Sequence, residues 1–164
     1  MSTDTNLNID VVQLIKSVFG SNKERNDLAV GIRNDTGKEL HVNYYVEHGS
    51  IKEVSSSSKI LPEELWECGV NAKGAGSNIG FSLTMSNGAA FAIMAATPSN
   101  KQNYFKISHN KNGYKSAKVA WNGANKNDKH YSGDGYYEDD YNDHHMEISI
   151  TGTSPAACTI VISE

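Results

Sequence analysis

The sequence predicts a mainly β protein whose single domain, residues 1–164, folds as a β-sandwich of about ten strands behind an N-terminal helix. First, short apolar runs recur along the chain between turns rich in Gly, Asn and Ser. Second, the first twenty residues place their apolar side chains at helical rather than strand-like intervals. Third, 164 residues, 38% of them hydrophobic, suit one domain with a sizeable core.

The N-terminal helix is predicted from apolar residues spaced three and four apart: Leu7, Val11, Leu14, Ile15 and Val18. Gly20 is a residue type that commonly ends a helix, and the polar stretch "SNKERND" after it is typical of a linker. On the residues alone, the favoured interpretation is a helix docked on a core, because docking is what stabilises short helices. We therefore divide the chain into a helix and linker, residues 1–26, and a sandwich, residues 27–164.

The strands begin at Leu28, where "LAVGIRN" and "KELHVNYYVEHG" flank the turn "DTG". Two apolar runs flank Asn87-Gly88, a dipeptide preferred in tight hairpin turns. The second run is apolar on both faces, which predicts a strand in the middle of the sandwich. We predict further strands at "LWECG", "NYFKIS" and "KVAW", and a last pair at "MEISI" and "CTIVIS" around the turn "GTSP".

Composition excludes several classes of protein. No apolar run reaches the roughly 18 residues of a membrane-spanning helix, and the N-terminus lacks the basic and apolar regions of a signal peptide. No basic stripe predicts nucleic-acid binding. Acidic residues concentrate at 128–143, where six acids and one Lys stand within a chain of net charge −4. Cys68 and Cys158 belong to no metal-binding spacing, and we favour two free thiols over a disulfide.

No motif for nucleophilic or metal-dependent catalysis occurs, so we expect neither an enzyme nor a cofactor. The unusual stretch "DGYYEDDYNDHH", residues 134–145, combines acids, tyrosines and histidines. Its adjacent His144 and His145 cannot both face one metal on a strand, and its acids do not fit an EF-hand, so we predict no metal site. The triplet "NDT" at Asn34 matches a glycosylation acceptor, but a turn is the favoured interpretation.

Several motifs together resemble the actinoporins, the sea-anemone pore-forming cytolysins, over about residues 9–140. They are "VGIRNDTGK", "LTMSNG" and "MAATPSN", followed by Tyr131 and the pair Tyr136-Tyr137. The resemblance implies a sandwich flanked by two helices, the second of them short. It also implies membrane binding as a soluble monomer, after which the N-terminal helix detaches, inserts and lines an oligomeric pore.

The resemblance also assigns candidate residues. A lipid-headgroup pocket would contain Pro98, Tyr131, Tyr136 and Tyr137, and Tyr104-Phe105 would form a membrane-facing aromatic pair. Other pocket positions fall on His48, Gly80, Ala96 and Lys101, where the family tends to carry Ser, Val, Ser and Tyr. The inserting helix would present Val11, Leu14, Ile15, Val18 and Phe19.

We therefore expect a membrane-binding, pore-forming cytolysin-like protein that docks through a tyrosine-bearing face on a lipid headgroup or glycan. It would be a monomer or small oligomer in solution and a homo-oligomer on membranes. The alternative is a non-lytic, lectin-like module that binds a glycan or lipid on the same fold. Without a signal peptide, we expect a soluble protein released by another route to act at target-cell membranes, or one stored in the cytoplasm.

Acids near the tyrosines weaken attraction to anionic bilayers. Because His130, His144 and His145 stand among these acids, we expect stronger membrane binding at about pH 5–6. The alternative is that these groups are solvated loop charges that keep the protein in solution.

Overall fold

The computed structural model describes residues 9–164, so Leu7 of the predicted helix lies outside the described residues. The helices and strands of this range, in chain order, are α1 (Val11–Phe19), β1 (Leu28–Asp35), β2 (Leu40–His48), β3 (Ser50–Glu53), β4 (Lys59–Ile60), β5 (Leu65–Asn71), β6 (Gly76–Thr84), β7 (Ala90–Pro98), β8 (Tyr104–Asn110), α2 (Ala117–Asn125), β9 (His130–Tyr131), β10 (Tyr137–Tyr141), β11 (His144–Ile150) and β12 (Ala156–Ser163). A short 3₁₀ helix, Ser132–Asp134, separates β9 from β10.

The strands form two six-stranded sheets, which confirms the predicted mainly β sandwich. Sheet A has the order β10-β11-β12-β1-β5-β3, and sheet B has the order β4-β2-β6-β7-β8-β9. Strand β1 is parallel to β12 and antiparallel to β5. Alternate side chains of both sheets meet in one core, which includes Val30, Ile32, Phe81, Phe91 and Ile160. The predicted hairpin at Asn87-Gly88 joins β6 to β7.

Helix α1 lies on the outer face of sheet A, as expected for a docked amphipathic helix. It begins after Asp10, whose carboxylate accepts a hydrogen bond from the Gln13 amide at 3.1 Å. It ends at Gly20, which has φ 59°. Leu14, Val18 and Phe19 are buried, and they pack in one cluster with Ala29 and Ala157 of the sheet. Within residues 9–164, no helix is long and apolar enough to cross a membrane.

Helix α2 covers the outer face of sheet B and corrects one sequence prediction, because "KVAW", residues 118–121, is helical and not a strand. The Ser116 hydroxyl caps the helix by accepting a hydrogen bond from the Val119 amide at 3.2 Å. Ala117, Ala120 and Ala124 then form a small buried face at helical spacing. This face explains why β7 is apolar on both sides: one side faces the core, and the other lies under α2.

Candidate functional site

The stretch rich in acids, tyrosines and histidines forms an edge hairpin, in which β10 pairs with β11. Asn142 and Asp143 make the tight turn between Tyr141 and His144, both with positive φ. Because side chains alternate along a strand, β10 presents two different faces. The side chains of Tyr137, Asp139 and Tyr141 point toward sheet B. Those of Glu138 and Asp140 point to the outer face of sheet A, beside His145.

A pocket of about 430 Å³ opens where the edges of the two sheets meet, between β8 and β9 of sheet B and β10 of sheet A. The segment between α2 and β9 closes one side. We call it the edge pocket, and its lining is Ile107, Ser108, His109, Lys126, Asn127, Asp128, His130, Tyr137 and Asp139. Its volume falls within the range of about 300–1,000 Å³ that is usual for small-ligand sites.

Aromatic rings form one wall of the edge pocket. The Tyr137 ring lies over the His130 imidazole, with ring centroids 4.1 Å apart. The His130 ring also stacks on Phe105 at 5.2 Å, and Phe105 is fully buried. Tyr137 is 40% exposed, so it supplies an accessible aromatic surface whose position is fixed by contact with the His130 ring.

Polar groups form the other wall. The Nδ1 atom of His109 lies 2.9 Å from the Asp139 carboxylate, and its ring stacks on Tyr141 at 3.7 Å. The Asn127 amide donates a hydrogen bond to the Ile107 carbonyl at 2.6 Å, which fixes that side chain at the wall. Lys126 and Asp128 flank it. The edge pocket therefore offers both hydrogen-bond donors and acceptors beside an aromatic surface.

Several residues that the resemblance assigns to a headgroup pocket lie elsewhere, in one row across the outer face of sheet B. The pairing register joins His48 to Asn78, Asn78 to Ala96, Ala96 to Tyr104, and Tyr104 to Tyr131. We call this set of five the tyrosine row. Tyr137 is not part of it, because it belongs to β10 in the other sheet.

The surroundings of the tyrosine row differ from an open headgroup site. The Lys129 ammonium lies 4.5 Å from the centre of the Tyr104 ring, and that ring packs edge-on against Tyr131 at 6.3 Å. Trp121 of α2 covers Gly80 so closely that a Cβ atom there would lie 2.6 Å from its ring. The Trp121 indole N–H also donates to Asn78 at 2.8 Å. Helix α2 thus occupies part of the surface that the resemblance assigns to a ligand.

The remaining predicted residues are dispersed. Pro98 pairs with Gly76 at the end of the β6–β7 hairpin, and Lys101 is exposed in the following loop. Tyr136 precedes β10 and is half-buried. In the predicted aromatic pair, Tyr104 is half-buried and Phe105 is fully buried, so the Phe105 ring does not reach the surface.

The predicted inserting helix has a buried side and an exposed side. Leu14, Val18 and Phe19 face the sheet, Val11 and Ile15 are half-buried, and Val12 is 77% exposed. An apolar groove of about 450 Å³ runs along the helix and is lined in part by Val11, Ile15 and Pro155.

The outer face of the edge hairpin carries a second group of ionisable side chains. The His145 ring lies between Glu138 at 3.0 Å, Glu147 at 3.4 Å and Asp140 at 2.5 Å. Burial lowers the pKa of His145, but the hydrogen bond and charge of Asp140 and the charges of Glu138 and Glu147 outweigh it, so that pKa is raised. His144 turns to the buried side of the strand instead, as the alternation argument predicts.

Sequence reasoning missed most of the edge pocket. The sequence alone assigns no role to Lys126, Asn127 or Asp128, and it indicates that His109 is a lone strand histidine without a catalytic role. His109 follows Phe105 and Ile107 at strand spacing, which predicts that all three share a face. The other three follow α2. Their place in the pocket depends on the path of the chain from the end of α2 to β8, which no local sequence pattern gives.

No protein-family model matches the chain, and no curated protein matches it. Solved structures with the same fold include the lipid-binding protein Nakanori, at TM-score 0.68 and 13% identity over 86% of this chain and 72% of that one. A second is IP-1A from Alcaligenes faecalis, at TM-score 0.54 and 12% identity over 93% of this chain and 96% of that one. A third is the Xerocomus chrysenteron lectin XCL, at TM-score 0.55 and 12% identity over 84% of this chain and 99% of that one.

Proposed function

We propose that the protein is a non-catalytic recognition module that binds a glycan displayed at a membrane surface, and that the edge pocket is the binding site. The observation that carries this proposal is the lining of the pocket, where the exposed face of Tyr137 stands beside carboxylate, amide and ammonium groups. Two of the neighbours with this fold are described as a lipid-binding protein and a lectin, which supports binding to surface groups as the shared use of the fold.

The chemistry of the pocket suits a sugar. A sugar ring has an apolar face of C–H groups, which packs on an aromatic ring, and a rim of hydroxyls, which both donate and accept hydrogen bonds. The Asp128 and Asp139 carboxylates accept from hydroxyls, whereas Lys126 donates to them. A phosphate would meet two carboxylates against one ammonium, which opposes an anionic ligand.

The tyrosine row is the competing site, and its chemistry fits less well. A quaternary ammonium headgroup binds over tyrosine faces by cation–π attraction. At Tyr104 that face already meets the Lys129 ammonium at 4.5 Å, so a second cation would have to displace it against charge repulsion. Among residues 9–164, the cation–π contacts are at Phe19, Tyr45 and Tyr104 and not at Tyr137, whose ring lies tilted at 33° to the His130 ring.

Two matched tyrosine variants test the proposal. We expect Tyr137→Ala to weaken binding to the best ligand from a glycan array by about tenfold or more, because it removes the aromatic wall. Tyr131→Ala is the control, since Tyr131 is 38% exposed against 40% for Tyr137 and lies in the tyrosine row. Binding would be measured by calorimetry, with thermal unfolding to show that both variants are folded.

The reverse pattern would overturn this assignment. If Tyr131→Ala abolishes binding and Tyr137→Ala leaves it unchanged, the ligand binds at the tyrosine row. If an array of glycans and liposomes of varied lipid composition yields no ligand at all, the recognition function itself is wrong.

A second candidate function, favoured by the packing of α1, is membrane insertion of this helix after docking, with pore formation by a homo-oligomer. The helix is amphipathic, lies outside the sandwich core, and is followed by a polar segment that begins at Gly20. Leakage of dye from liposomes that carry the recognised glycan tests this step.

A further inference from the structure

We propose that the outer face of the edge hairpin is a binding site for a divalent transition-metal ion, with His145, Glu138 and Glu147 as ligands and Zn²⁺ as the best-suited ion. This site lies on the opposite face of β10 from the edge pocket and does not depend on the glycan proposal. Imidazole nitrogen with carboxylate oxygen is a donor set that Zn²⁺ accepts, whereas Ca²⁺ and Mg²⁺ prefer oxygen donors alone.

The pairing of β10 with β11 creates the site. Glu138 stands directly opposite Glu147 in the register, and His145 lies two residues before Glu147 on the same face of β11. One donor atom from each of the three residues lies within 4.8 Å of the other two. His145 Nε2 is 3.0 Å from Glu138 Oε1 and 3.4 Å from Glu147 Oε1. Zn²⁺ bonds of about 2.0–2.1 Å in a tetrahedron separate neighbouring donors by about 3.3 Å, close to these distances.

Asp140 prepares His145 for this role. Its carboxylate oxygen lies 2.5 Å from His145 Nδ1, on the side of the ring away from the two glutamates. A neutral imidazole that donates its Nδ1 proton to a carboxylate keeps its Nε2 lone pair free for a metal. This arrangement, in which a carboxylate orients a histidine for a metal ion, recurs in zinc proteins. Four side chains on two adjacent strands thus supply three donor atoms and the group that orients one of them.

The carboxylates also need a cation. Glu138 and Glu147 stand directly opposite each other on paired strands. Two like charges in this position destabilise a sheet. The Glu147 side chain is only 14% exposed, and its Oε2 atom is enclosed without a hydrogen-bond partner. Among residues 9–164, the ion pairs of both glutamates are with His145 and with no Lys or Arg. A metal ion held by His145, Glu138 and Glu147 would neutralise the two opposed carboxylates at once.

Calorimetry with the full chain and Zn²⁺ tests the proposal, and His145→Ala and His41→Ala provide a matched pair. His41 also pairs with a glutamate on the surface, Glu39 at 3.0 Å, but within residues 9–164 no second carboxylate completes that site. We expect one Zn²⁺ per chain in the native protein, unchanged by His41→Ala and weakened by about tenfold or more by His145→Ala. We also expect Ca²⁺ and Mg²⁺ to bind far more weakly than Zn²⁺.

Co²⁺ provides a spectroscopic check on the coordination geometry, which a binding constant does not report. Tetrahedral coordination at the site would give visible absorption bands on adding Co²⁺, and Glu138→Gln, which removes one ligand while keeping the shape of the side chain, would diminish them. If Zn²⁺ does not bind with a one-to-one stoichiometry, or if His145→Ala binds it as tightly as the native chain, the four side chains form only a network of ion pairs and the proposal is wrong.

Discussion

Asn34 shows how one buried polar side chain fixes the connection between the two sheets. Its amide Nδ2 donates to the carbonyls of Lys38 at 2.7 Å and Ile60 at 2.8 Å. Its Oδ1 accepts from the amide and the hydroxyl of Thr36, at 2.9 and 2.7 Å. All of its side-chain hydrogen-bonding capacity is therefore used by the turn that links β1 to β2 and by Ile60 of β4. A fully buried amide is not available for glycosylation.

Replacing this side chain has a predictable cost. We expect Asn34→Ala to lower the free energy of unfolding by about 3 kcal/mol, because it leaves buried hydrogen-bond donors and acceptors without partners. Asn87→Ala is the control: Asn87 is exposed in the turn between β6 and β7, where its Oδ1 accepts one hydrogen bond from the Ala89 amide at 3.0 Å. Urea unfolding would measure both, and equal losses in the two variants would contradict this account.

At the scale of single residues, the sequence predicted turns well and surface sites poorly. The turns at Asn34 and Asn87 depend on local hydrogen bonds that neighbouring residues supply. By contrast, whether Tyr131 or Tyr137 reaches a pocket depends on which sheet each strand joins and on which face it presents. The burial of Phe105, next to half-buried Tyr104, follows from strand alternation, but only once the register places the odd-numbered residues of β8 inside.

At the scale of elements, α1 fits the sheet because two glycines leave room for it. A Cβ atom on Gly69 would lie 2.4 Å from Val18 Cγ1 and 2.9 Å from the Phe19 ring. On Gly31 it would lie 3.1 Å from Leu14 Cδ2, a contact that a flexible leucine end can relieve. The missing side chains therefore set how closely the helix approaches, most strictly at Gly69.

We expect Gly69→Ala to displace α1 and lower the free energy of unfolding by about 1–3 kcal/mol, as overpacked contacts do. Gly31→Ala should have a smaller effect, since only the end of Leu14 has to move. Limited trypsin digestion followed by mass spectrometry would report helix release as faster cleavage after Lys16 and Lys23. Equal cleavage rates in the two variants would show that α1 is not held by close packing over Gly69.

The two helices also show the limits of sequence reading for short elements. Helix α1 could be predicted because five apolar residues share one face. The segment "KVAW" alone predicts a strand, because four residues are too few to separate the helical period of 3.6 residues from the strand period of two. The cue that mattered was Ser116 followed by alanines at positions 117, 120 and 124, which make a helix face too small and weakly apolar to stand out.

At the scale of the whole molecule, the segment after α1 is less free than its polar composition indicates. The Asn26 carbonyl accepts hydrogen bonds from the hydroxyls of Ser77 and Thr97, both at 2.7 Å. Buried Asp27 accepts from the amides of Glu24 at 2.7 Å and Ala72 at 2.8 Å. Any release of α1 would therefore pivot between residues 20 and 23, ahead of this anchor.

This anchor bears on how far an inserted helix could reach. Helix α1 as it stands is about 14 Å long, against about 30 Å for the hydrocarbon core of a bilayer. Extending it past Gly20 into residues 24–27 would break the hydrogen bonds of Asn26 and Asp27. If this helix inserts into a membrane, insertion would therefore require residues 24–27 to be partly released from the sandwich. The polar composition of the linker gives no sign of this requirement, because the partners of Asn26 and Asp27 lie far along the chain.

The order in which the strands pair could likewise not be predicted from the sequence. The parallel pairing of β1 with β12 joins residues separated by most of the chain, and no local pattern encodes it. The same holds for the edge pocket. It exists because β10, the edge strand of sheet A, and β9, the edge strand of sheet B, lie at the same side of the sandwich. The sandwich class, in contrast, follows from the number and shortness of apolar runs.

A disulfide tether between α1 and sheet A separates recognition from insertion. With Val18→Cys and Gly69→Cys, the two Cβ atoms would lie within about 4 Å, the spacing of a disulfide, because a Cβ on Gly69 falls 2.4 Å from Val18 Cγ1. Val18→Cys also removes the valine methyl groups, so the contact that overpacks in Gly69→Ala is replaced by the disulfide, and the Phe19 ring, 2.9 Å from the new Cβ, has to shift. Native Cys68 and Cys158 would not compete, since both are buried, and burial raises the pKa of the Cys158 thiol to about 12.

If α1 inserts into membranes, the oxidised tethered protein should bind glycan-bearing liposomes as the native chain does but release no dye, and reduction should restore leakage. The reduced form of the same variant is the control for any effect of the substitutions themselves. Leakage that is equal in the oxidised and reduced forms would exclude insertion of α1. A native chain that binds these liposomes and never releases dye would leave the lectin-like module as the function, with α1 serving as a fixed cover for the outer face of sheet A.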